Sequence, residues 1–97
     1  MGKIYKGQTK LSISVSVGQD ITGATATNIK YKKPSGNFGY FEATVIDSTK
    51  GIIKYNIQSS SDLDEVGTWS FWAYIVFASG DYACGEAKQQ EVSREGI

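Results

Sequence analysis

Histidine is absent from this sequence. Without it there is no Ser-His-Asp or Cys-His arrangement, no HExxH zinc site and no ordinary general base for neutral pH. Cysteine occurs once, at position 84, so an intrachain disulfide is impossible. One thiol without histidine makes a poor zinc ligand set, and no neighbouring base can be named to activate it as a nucleophile. Cys84 is expected to be a small strand residue. A single proline excludes a Pro-rich linker. No run approaches 18 apolar residues, so no membrane-spanning helix is expected. The opening MGKIYKGQTK lacks the apolar stretch of a signal peptide, and its lysines fit a myristoylation pattern badly. Net charge is zero, from ten basic and ten acidic residues. A nucleic-acid partner usually needs a basic field, and here the basic cluster is confined to Lys30, Lys32 and Lys33. No nucleic acid, membrane or cofactor is therefore expected. Zero net charge also serves a free monomer poorly and points toward an assembled protein, a homo-oligomer among the options.

What is present has a period of two. Leu11, Ile13, Val15 and Val17 alternate with three serines, the pattern of a half-buried strand. Thr27, Ile29 and Tyr31 oppose Asn28, Lys30 and Lys32. YFEATVID reads as one strand with Phe41, Ala43 and Val45 inward. IIKYNIQ places Ile53, Tyr55 and Ile57 inward. Turn signals separate these runs: GQDITG (18–23), PSGNFG (34–39) with positive φ expected at Gly36 and Gly39, STKG (48–51) and ASGDY (78–82). SSSDLDEVG carries a weak helical signal that buries Leu63 with Val66. ACGEAKQQEV reads as a final weak strand and KIYK as a short first one. The 97 residues thus predict one all-β domain, 1–97, of about seven strands without a disulfide. An antiparallel sandwich is the economical arrangement and a small barrel the alternative.

The carboxylates do not form a recognisable site. Asp62, Asp64 and Glu65 crowd before Gly67, but the spacing of a calcium loop is missing. Capping and solvating a turn is the expected role. The 34–39 loop lacks the GK[ST] ending of a phosphate-binding loop.

The aromatics are more informative. In TWSFWAYIVF the odd residues Trp69, Phe71, Ala73, Ile75 and Phe77 form one unbroken apolar face, which must be core. Trp72 and Tyr74 then point outward. They either pair with neighbours across strands or anchor a protein interface, with sugar stacking as a further option. Phe38 and Tyr40, at and just after a loop tip, raise the same question. The tail 93–97 is polar except for Ile97 and is expected to fray or to dock on a neighbour.

Two stretches resemble immunoglobulin-like domains. IKYKKPSG (29–36) is similar to the passage from strand C to C′. LDEVGTWSF is similar to the corner between strands E and F, with Leu63, Glu65 and Gly67 forming the corner, Trp69 at the place of the corner tyrosine and Phe71 at that of the cysteine. The Trp69 indole N–H can serve in place of the phenol. Over most of the chain, IYKGQ, VGQDITGAT, IKYKKPSG, ATVID, GIIKYNI, DLDEVGTWSFWAYI and CGEA in that order resemble short immunoglobulin-like structural proteins of tailed bacteriophages, and the N-terminal domain of phage baseplate upper proteins. That resemblance implies a non-enzymatic component of a virion (capsid decoration, neck, tail or baseplate), made in the host cytoplasm and docked to other virion proteins in many symmetric copies. Its partner-binding residues would be Trp72, Tyr74, Phe38, Tyr40 and Ile97. A carbohydrate-binding or host-adhesion module is the alternative.

Overall fold

The structure, a computed structural model, describes residues 4–94. Nine strands and no helix lie within them: β1 (Ile4–Tyr5), β2 (Ser12–Ser16), β3 (Ala24–Lys32), β4 (Phe38–Glu42), β5 (Thr44–Asp47), β6 (Ile52–Asn56), β7 (Gly67–Phe77), β8 (Tyr82–Cys84) and β9 (Lys88–Ser93). They form two sheets. One runs β1-β9-β7-β3-β4, with β8 also paired to β7; the other runs β2-β6-β5. β2 lies across β7 and β6 across β3. The all-β sandwich is as expected, with nine strands instead of about seven. One pairing departs from antiparallel: β1 runs parallel to β9, Ile4 beside Val92.

Period-two sequence explains the layers. Ile13 and Val15 of β2, Ile29 and Phe41 of the β3–β4 pair, Ile53 of β6, and Trp69, Phe71, Ala73 and Ile75 of β7 all face the space between the sheets. Trp69, Ala73 and Ile75 are fully buried. Tyr31 packs its ring on Phe41 and Trp69, with centroids 4.8 and 5.3 Å away, and Phe41 stacks on Tyr55 at 4.4 Å. Aromatic packing therefore fills the centre, where each such ring buries a large area.

Four expectations need correction. YFEATVID is not one strand. The strand is interrupted at Ala43, whose N–H donates to the Thr27 carbonyl and whose carbonyl accepts from the Thr27 hydroxyl. The chain there leaves one sheet for the other, so Val45 and Ile46 end up exposed. SSSDLDEVG is a turn: the Asp62 carboxylate accepts from the Gln58 and Ser59 N–H groups, a local arrangement that competes with helix. Leu63 is buried there and Val66 is not. The final strand is broken at Gly85, whose N–H donates to the Ala73 carbonyl and where a Cβ would collide with the Ser16 carbonyl. Gly39 belongs to β4 with an ordinary φ, and is glycine because a Cβ would collide with the Tyr31 ring.

Candidate functional site: an aromatic outer face

The corner before β7 is built in detail. The Trp69 indole N–H donates to the Glu65 carbonyl at 3.0 Å, so tryptophan makes the backbone bond that a corner tyrosine would make. The corner also grips the turn after β3. Lys33 pairs with Asp64 at 3.0 Å, and Glu65 accepts from the Ser35 N–H and hydroxyl. The Asp64 hydrogen bond raises the Lys33 pKa above its ordinary value. Gly67 has φ +132°, and a Cβ there would come within 2.7 Å of Pro34. Leu63 and Phe71 complete the corner from inside, both buried. Asp62 turns the other way, accepting from the Tyr55 hydroxyl at 2.9 Å. Burial first, and this bond second, push Tyr55 up to about 12. The three acidic side chains are thus held within the fold, Asp62 by Tyr55 and the 58–59 backbone, Asp64 by Lys33, and Glu65 by Ser35 with Lys33 3.9 Å away. Among the described residues no group of three or more His, Cys, Asp or Glu could hold a metal ion.

The outer face of the larger sheet is different. Register places Trp72 beside Lys30 on β3, and Lys30 beside Tyr40 on β4. One step along, Ser70, Lys32 and Phe38 form the next row; in the other direction Tyr74 faces Asn28, which faces Glu42. On the far side Val76 faces Tyr82 of β8. Side chains at paired positions share a face, so Phe38, Tyr40, Trp72, Tyr74 and Tyr82 all lie on this one. Phe38, Tyr40 and Tyr82 are exposed, at 69, 58 and 64%.

Trp72 and Tyr74 point outward as expected but are only half-buried, because neighbours lean on them. Phe38 meets Trp72 edge-on, with centroids 6.5 Å apart and planes at 77°. Tyr82 stacks on Tyr74 at 5.4 Å, and Lys30 Nζ stands 3.7 Å over the Tyr74 ring. Lys30, Phe38, Gly39, Tyr40 and Trp72 line a shallow depression. The structure therefore brings together four of the five expected partner-binding residues. Ile97 lies outside the described residues. Sequence reasoning missed Tyr82 and Lys30. Tyr82 sits in a turn signal, and only the pairing of β8 with β7 assigns it a face.

No protein-family model matches the chain. No curated protein matches it. A solved structure that does match is CopC from Methylosinus trichosporium OB3b, with TM-score 0.59 and 10% identity over all of this chain and 89% of that one. At that identity the likeness is one of fold. The expected kinship with phage immunoglobulin-like proteins is corrected accordingly: the matching fold belongs to CopC, with no phage link. The virion role was an implication of that kinship alone and goes no further.

Proposed function

We propose that the chain is a non-enzymatic docking module that binds a protein partner through the outer face of its larger sheet. One observation carries the reading. Five aromatic rings share that face, while the core behind β7 is already filled by Trp69, Phe71, Ala73 and Ile75. The fold needs none of the five for its core. Exposed tyrosine, tryptophan and phenylalanine are the residue types that anchor protein interfaces, and the polar rim of Asn28, Glu42 and Lys32 suits such a patch.

Sugar binding fits less well. A sugar ring needs an open flat aromatic surface, yet Lys30 covers one side of Tyr74 and Phe38 stands against Trp72. The test is site-specific photo-crosslinking in the native cell. A photoreactive residue at Phe38 should yield a discrete adduct with a protein other than this chain, and Trp72→Ala should abolish that adduct in a folded domain. The same probe at Ser14, on the other sheet, should yield none. Adducts indifferent to both controls, or specific binding on a glycan array, would sink the reading.

A further inference from the structure

Of the six exposed large hydrophobic residues among those described, four lie between positions 38 and 46: Phe38, Tyr40, Val45 and Ile46. This segment forms one side of the sandwich. β4 is the last strand of its sheet and β5 the last of the other, joined by Ala43 alone. Natural sheet edges are usually blunted by lysine, proline or a covering segment. β4, with sequence FGYFE, has neither lysine nor proline.

Its free hydrogen-bonding groups can be assigned from the register. Lys33 N–H bonds the Asn37 carbonyl, and Ala43 N–H the Thr27 carbonyl. Antiparallel pairs alternate between bonded and non-bonded. The odd residues 37, 39, 41 and 43 therefore face β3, and Phe38, Tyr40 and Glu42 turn their N–H and C=O groups away from it. Among the described residues none of these six groups has a partner outside the sheet.

The geometry points to a second copy of this chain as the occupant of that edge, added antiparallel with Tyr40 on the two-fold axis. Phe38, Tyr40 and Glu42 then pair with Glu42, Tyr40 and Phe38 of the other copy, all three as bonded pairs, satisfying the six groups on each side. Charge selects this register and favours a copy over an unrelated strand. Lys32 is the β3 neighbour of Phe38, and its ammonium lies 5.6 Å from the centre of that ring, on the way to the edge. Glu42 of the second copy arrives beside the same ring. Two symmetric Lys32–Glu42 pairs result, and the isologous contact closes on itself. The pairing uses the backbone of β4 and stands apart from the docking reading; it would set two aromatic faces side by side in one continuous sheet.

Sedimentation equilibrium of the purified chain over a roughly hundredfold concentration range tests it. A reversible species of twice the 10.5 kDa chain mass is expected. Tyr40→Pro removes an N–H that bonds nothing among the described residues, so the fold should survive. It should weaken the dimer about tenfold or more. Should that variant fail to fold, charge exchange leaves the backbone intact. Glu42→Lys and Lys32→Glu should each weaken the dimer several-fold, and the double exchange should restore it. A monomer at every concentration overturns the proposal. So does a dimer that ignores Tyr40→Pro and the exchange, because it would use another surface. Loss of the native-cell adduct at Phe38 with an intact dimer would refute docking and leave the pairing standing.

Discussion

The two faces of β7 carry similar residues and meet opposite fates. Trp69 and Phe71 point inward, 5.8 Å apart and stacked, with Tyr31 packed against Trp69. Trp72 and Tyr74 point outward, each held by one aromatic neighbour and, for Tyr74, by a lysine. The inner rings are enclosed by a second sheet; the outer ones are steadied and still reachable. Burial, not residue type, decides whether an aromatic on this strand serves the fold or is left for another molecule.

The strongest way to break that contrast is to truncate one ring from each face. Trp69→Ala should cost about 3–5 kcal/mol, a large share of what a domain this size has, and should leave the protein substantially unfolded in a urea titration. Trp72→Ala should cost about 1 kcal/mol or less, since its ring lies on the outer face and its removal leaves no enclosed cavity. Equal costs would mean that the outer ring is core. Gly67→Ala comes next. Positive φ and the approach to Pro34 together predict a loss of about 1–3 kcal/mol, read as a lower midpoint at unchanged slope. Trp69→Phe keeps the ring and removes the indole N–H, so it should cost about 1 kcal/mol beyond the change in packing.

The smallest effect is in pH. Tyr55 has its folded pKa raised to about 12 from an ordinary 10, because burial and the Asp62 carboxylate disfavour the phenolate. Its contribution is complete below pH 10 and is lost as pH climbs through 12. Stability followed by thermal melts should fall across that window. Tyr55→Phe should flatten the fall while lowering stability at neutral pH. A slope that persists unchanged in the variant would assign it to other groups.

How far the sequence reads can be traced to particular residues. Parity along β7 separates Trp69, Phe71, Ala73 and Ile75 from Trp72 and Tyr74, because a strand's side chains must alternate. The corner was legible as well, since Gly67 and the indole of Trp69 each allow few roles. Parity misleads at Val45: the alternation runs smoothly through Ala43, but the chain changes sheets there, and a one-dimensional pattern carries no trace of which sheet a strand joins. Ile21 was hidden for a related reason. It sits in a turn signal, yet its N–H bonds the Ser48 carbonyl and its side chain is 2% exposed. Tyr82 and Lys30 join the outer face through pairing alone. The resemblance to phage proteins rested on short segments in order, none of them specific by itself, and the fold match lies elsewhere.

The parallel pairing of β1 with β9 has a mechanical consequence. Ile4 and Tyr5 lie beside Val92 and Ser93 with both strands running the same way. A pull applied ahead of β1 and beyond β9 drags the two strands past each other along their length. Their cross-links then share the load together, whereas an antiparallel pair pulled from its open end would lose its links in succession. The domain should therefore resist stretching between these points better than a pull that peels β4 from β3, a difference that single-molecule force measurement would register.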